Sequence, residues 1–110
     1  MTHNMKLNPE PFEMIKAGVK TVELRLFDEK RRKILAGDEI IFTSTKTGEV
    51  LSTSVLAVRV FPDFEGLYKS YDKISMGYLP DEEANPSDME AYYSRADIEK
   101  YGVAAIELKI

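Results

Sequence analysis

The stretch GVKTVELRLFDEKRRKILAGD, residues Gly18–Asp38, decides how the rest of the chain is read. It opens with Gly18, Lys20, Glu23 and Arg25, spaced G-x-K-x-x-E-x-R. Val22, Leu24 and Leu26 alternate with Thr21, Glu23 and Arg25, and a period of two is that of a half-buried strand. One face of this strand enters a core and the other carries charge. Strict alternation would set Lys20 on the Val22 face, away from Glu23. A joint site therefore requires Lys20 to precede the regular strand. Asp28 to Lys33 reads as a short loop of opposite charges, and Gly37-Asp38 turns the chain into the next apolar run.

Working outward, Met5–Leu7 reads as a first strand. Asn8 is a helix cap with Pro9 in the first turn. Phe12 and Ile15 form the helix's apolar stripe, and Gly18 fits the position just past its end. After the charged loop, Glu39–Ser44 is a third strand. A turn around Gly48 leads to a long, bent strand over Val50–Phe61, ended by Pro62. Phe64, Leu67, Tyr68 and Tyr71 have helical spacing. Ile74–Asp88 holds Gly77, Pro80, Pro86 and an acidic run, and reads as a surface loop or lid. Met89–Tyr93 forms one helical turn. Ser94 with Asp97 resembles a capping box for a helix that stops near Gly102. Val103 to Ile110 supplies the last strand, which can pair with the first.

A chain of 110 residues, 44% of them apolar, fits a single domain spanning 1–110. The order of elements predicts an α+β fold, and a small curled sheet or barrel leaves the fewest open edges. No apolar run reaches the roughly 20 residues of a membrane span. MTHNMKLNPEPF lacks a secretory apolar core, and the expected setting is cytoplasmic. The absence of cysteine excludes thiol catalysis, disulfides and thiolate metal sites. His3 is the lone histidine, and the acidic residues do not have EF-hand spacing, so no metal is expected. With no Gly-rich phosphate loop, no nucleotide cofactor is expected either. The net charge of −4 argues against strong non-specific DNA binding but leaves room for a locally basic cleft.

The motif Gly18-x-Lys20-x-x-Glu23-x-Arg25, followed by Ala36-Gly37-Asp38 and Ile40-Ile41-Phe42, resembles the ASCH domain family of the PUA-like superfold. Tyr101-Gly102-Val103, running into Ile106, is similar to that family's closing strand. The resemblance covers nearly the whole chain. It implies a small β-barrel with short helices at its rim, and a cleft with Lys20, Glu23 and Arg25 on one wall. It also implies RNA or a modified nucleoside as the partner. Some family members are amidohydrolases acting on acetylcytidine through a lysine, a threonine three residues later and a distant glutamate. Lys20 matches the lysine, but Glu23 stands at the threonine position. Glu82 and Glu83 are the nearest candidates for the glutamate.

Three function classes follow. The first is a binding module for RNA or a nucleotide-like ligand. Its ligand-binding candidates are Lys20, Glu23, Arg25, Arg31, Tyr78 and Tyr93. Arg31 enters because a guanidinium grips phosphate bidentately. The tyrosines enter because exposed rings stack bases. The second class is an amidohydrolase with Lys20 and Glu23 as catalytic residues. The third is a protein-interaction domain, which net acidity favours. For each candidate the plain alternative is structural: surface ion pairs for the charges, and core or helix packing for most tyrosines.

Overall fold

The computed structural model describes residues 1–110. The elements in chain order are β1 (Thr2–Leu7), α1 (Pro9–Lys16), β2 (Val22–Leu26), α2 (Glu29–Arg32), β3 (Glu39–Ser44) and β4 (Val50–Phe61). They continue with α3 (Phe64–Ser70), a 3₁₀ turn (Pro86–Ala91), α4 (Arg95–Tyr101) and β5 (Val103–Lys109). Local chemistry sets several of the boundaries. Pro9 opens α1, and Gly18 leaves it at φ 78°, a backbone conformation that costs a side-chain-bearing residue about 1–2 kcal/mol. Asp63 caps α3 by accepting the Gly66 N–H, and Ser94 caps α4 by accepting the Asp97 N–H. Asn8 sits at the cap position of α1 with extended dihedrals, but its side chain makes no capping bond.

The five strands form one sheet in the order β1-β3-β4-β5-β2. β1 runs parallel to β3, and the other neighbours are antiparallel. The long β4 belongs to two ladders. Its first half pairs with β3 and its second half with β5, with a bulge at Leu56 between the paired residues Val55 and Ala57. A bulge adds bend and twist, and here it curls the sheet into a half-barrel. β5 lies inside the sheet, with Val103, Ala104, Ala105 and Ile106 fully buried.

Two sequence expectations change here. The last strand does not pair with the first; it separates β4 from β2. The edges of the sheet are β1 and β2, and side chains join them instead of a ladder. Arg25 Nη2 donates to the Lys6 carbonyl at 3.0 Å, and Lys30 Nζ donates to the Asn4 carbonyl at 2.8 Å. These cations cover carbonyls of the β1 edge that would otherwise invite pairing with another chain. The charged loop is also corrected. Glu29–Arg32 is a helical turn, capped by the Asp28 carboxylate accepting the Arg31 N–H.

Apolar side chains fill both faces of the curl. Inside lie Met5, Leu7, Phe12, Ile15, Ile40, Phe42 and Ile106. Outside, Val22, Leu24, Leu26 and Val103 pack beneath Phe64 and Leu67 of α3 and Met76 of the following loop. Glu23 and Arg25 pair with Ile106 and Ala104, so they project from β2 to the inner face. There Glu23 is 4% exposed.

Candidate functional site

The ladder of β2 begins at Val22, so Lys20 precedes the regular strand. Backbone bonds hold it there. The Thr21 and Val22 N–H groups both donate to the Ser75 carbonyl, and the Thr21 carbonyl accepts from Leu108. Released from strand alternation, Lys20 turns to the Glu23 side. Its Nζ lies 3.1 Å from Glu23 Oε1. Arg25 binds the other oxygen, with Nε and Nη2 each 2.8 Å from Oε2. Burial alone pushes the Glu23 carboxyl up. The adjacent charges and hydrogen bonds of Lys20 and Arg25 outweigh it and hold the group below its ordinary 4.5. A buried carboxylate thus fixes two cations side by side.

Gly77 sets the position of the Lys20 stem. A Cβ on Gly77 would meet Lys20 Cδ at 3.1 Å, and Gly77 has φ +104°. No residue other than glycine fits this approach without displacing the lysine. The loop therefore serves as one wall of Lys20's slot.

Lys20, Glu23 and Arg25 open onto a cleft of about 550 Å³. Lys6 and Met14 line it from the β1–α1 side, and Tyr68, Tyr78, Tyr92 and Tyr93 line it from α3 and the 72–93 segment. Glu10, Glu82 and Asp88 also reach the lining, and all three residues are exposed. The floor is thus cationic around one carboxylate, and the rim is acidic. This volume lies within the range of small-ligand sites, roughly 300–1,000 Å³.

The tyrosine wall is ordered by its own bonds. Tyr78 Oη donates to Asp88 Oδ2 at 2.8 Å and lies 2.7 Å from Tyr68 Oη. Burial, then the bonds to Tyr68 and Asp88, push the Tyr78 phenol strongly up. The Tyr93 ring stacks on Phe64, with centroids 6.2 Å apart and planes 15° apart. Burial raises its phenol as well.

The structure thus brings five of the six sequence candidates, Lys20, Glu23, Arg25, Tyr78 and Tyr93, to one cleft. Arg31 is not among the lining residues. Its guanidinium pairs with Asp28 at 2.9 Å, and its Nε is buried without a partner. Tyr71 and Tyr101 also lie outside the lining. Tyr71 donates to Glu107 at 2.7 Å, and burial and that carboxylate push its phenol up to about 12. Glu82 reaches the cleft, where its side chain accepts the Leu79 N–H at 2.7 Å, whereas Glu83 does not. Sequence reading passed over Lys6, Tyr68 and Asp88. Lys6 looks like an outward residue of an edge strand, and only the curl turns it towards β2. Tyr68 shares the apolar stripe of α3, so its hydroxyl gave no signal. Asp88 lies in an acidic run with nothing to single it out.

No group of three or more His, Asp or Glu side chains is placed to hold a metal ion. No helix is long and apolar enough to cross a membrane. No functionally curated protein matches the chain significantly. Among solved structures, the fold is similar to the hypothetical protein PH0355, at 36% identity and TM-score 0.85 over 99% of this chain and 98% of that one. It is similar to protein PF0455 from Pyrococcus furiosus, at 34% identity and TM-score 0.72 over 99% and 96% of the two chains. It also shares its fold with the S128A mutant of ZmASCH from Zymomonas mobilis, at 16% identity and TM-score 0.70, covering 99% of this chain and 68% of that one. The ASCH domain family model matches residues 5–110, and with the half-barrel and its G-x-K-x-x-E-x-R motif in place, this chain belongs to the ASCH domain family.

Proposed function

We propose that the protein is a binding module whose cleft takes a nucleotide-like ligand, free or as part of a single-stranded RNA. The observation that carries this reading is Glu23, buried between Lys20 and Arg25 at the floor of a tyrosine-walled cleft. Both Glu23 oxygens are engaged by cations, so its role is to hold donors in place. Lys20 has three N–H donors and Arg25 five, and the pairing with Glu23 leaves some of them for a phosphate or base carbonyl. The rings of Tyr78, Tyr92 and Tyr93 offer apolar faces to a planar base. The acidic rim and net charge of −4 disfavour indiscriminate binding of polyanions.

The amidohydrolase reading has less support. The residue three after Lys20 is a carboxylate committed to two ion pairs, and no hydroxyl nucleophile stands in its place. A protein partner has no comparable feature in its favour.

The test is an NMR titration of isotopically labelled protein with cytidine 5′-monophosphate, acetylcytidine and a short single-stranded RNA. Shifts should cluster at Lys20, Arg25, Tyr78 and Tyr93. Lys20→Ala and Arg25→Ala should each weaken binding by about tenfold or more, the usual effect of losing a charged hydrogen bond. Wild-type affinity in either folded variant refutes the placement. Disappearance of the acetyl signal from acetylcytidine would identify a hydrolase instead.

A further inference from the structure

Tyr78 has a single hydroxyl proton, and Asp88, as a carboxylate, can only accept. The bond from Tyr78 to Asp88 therefore uses the one proton Tyr78 owns. The contact between Tyr68 and Tyr78 must then run the other way, with Tyr68 donating to Tyr78. Tyr68 has in turn spent its own proton. What its hydroxyl retains is lone pairs, and Tyr68 lines the same cleft as Lys20 and Arg25. The chain Tyr68 to Tyr78 to Asp88 has one direction, set at its far end by an ionised carboxylate.

We infer that this chain makes Tyr68 an obligate acceptor in the cleft, so that the site selects ligands offering an N–H over those offering a carbonyl oxygen at the same place. The inference rests on the reading of the cleft as a nucleotide-like site and adds its specificity. Tyr68 is the residue that would touch the ligand, and Tyr78 and Asp88 are positioning residues that orient its proton. An amino base satisfies the Tyr68 oxygen. A keto base sets two acceptors against each other and forfeits its hydrogen bond to water, a loss on the scale of a tenfold change in affinity.

The experiment compares adenosine with inosine 5′-monophosphate, and cytidine with uridine 5′-monophosphate, by NMR titration or calorimetry. Each pair exchanges an amino group for a carbonyl at one ring position and places a proton on the neighbouring ring nitrogen, so the Tyr68 contact is the one to the exocyclic group. The wild type should bind the amino member about tenfold more tightly in at least one pair. Tyr68→Phe should erase that ratio by weakening the amino nucleotide. Tyr78→Phe should erase it in the opposite way. Freed from Tyr78, the Tyr68 proton can turn to the ligand, and binding of the keto nucleotide strengthens. A merely structural role for Tyr78 would weaken both members together. Equal affinities in the wild type, or a ratio that survives both substitutions, overturns the inference and leaves the cleft reading intact. Binding of none of the four nucleotides overturns both.

Discussion

Glu23 and Asp38 both gather donors, and both are held below the ordinary carboxylate range. Asp38, just before β3, accepts from His3 Nε2 at 2.9 Å, from the Leu35 N–H at 3.0 Å and from the N-terminal ammonium at 3.3 Å. Those bonds hold its carboxyl at about 2. Glu23 takes Lys20 and Arg25. The difference lies in what the partners have left over and where they face. Asp38's bonds staple the chain's first residues and the turn before β3, and Asp38 lines no part of the cleft. Glu23's partners keep unused N–H groups beside open volume. A charge cluster alone does not mark a site. A cluster whose donors remain unspent towards a cavity does.

The largest test of this contrast is removal of Glu23. Glu23→Ala leaves two cations facing each other in a poorly solvated place, and breaking such a pair costs about 3–5 kcal/mol. Urea denaturation should show that loss, together with loss of nucleotide binding. A variant as stable as the wild type would mean that Lys20 and Arg25 find other partners, and Glu23 would not be the keystone.

Gly77→Ala sharpens the comparison with a smaller effect. The new methyl group meets Lys20 at a backbone angle that suits only glycine. Strain of this kind costs about 1–3 kcal/mol. Affinity should fall together with stability, because Lys20 must shift. Gly18, at φ +78° with nothing near its missing Cβ, is the control. Gly18→Ala should lower stability but leave binding unchanged. Equal effects on binding from the two substitutions would detach the loop from the site.

The smallest effect concerns pH. Each carboxyl is ionised more readily in the folded chain than in the unfolded one. The stability each contributes is fully present above its ordinary value and is lost as pH falls through the depressed one. For Asp38 that window runs from about 3.8 down to about 2. Asp38→Asn should flatten the acid limb of a stability-against-pH curve in that window and leave nucleotide affinity at neutral pH unchanged. Glu23→Gln should alter both. A fall in affinity with Asp38→Asn would erase the distinction between the two clusters.

Much of this was legible along the chain. Alternation in Val22–Leu26 and in Glu39–Ser44, the stop at Pro62 and the Ser94 cap are local effects, and local propensity and period report them. The pairing of Lys20 with Glu23 was also half-visible, since it needed only that the strand begin after Lys20. Asp28–Lys33 was misread because a short run dense in opposite charges resembles a solvated loop. An aspartate at the cap and a backbone able to close one turn were enough to make a helix.

The sequence by itself determined the strands, the ends of α1 and α4, the family motif and the residue types at the cleft, because these depend on neighbours a few positions away. Only the tertiary structure decided that β5 lies between β4 and β2, that Arg25 and Lys30 close the seam to β1, and that Tyr68, Tyr78 and Asp88 form one directed chain. Those contacts join residues 10 to 85 positions apart, and their partners are chosen by the curl of the sheet. A bulge at Leu56 bends β4, the bend brings β1 opposite β2, and the cleft exists where those two edges meet.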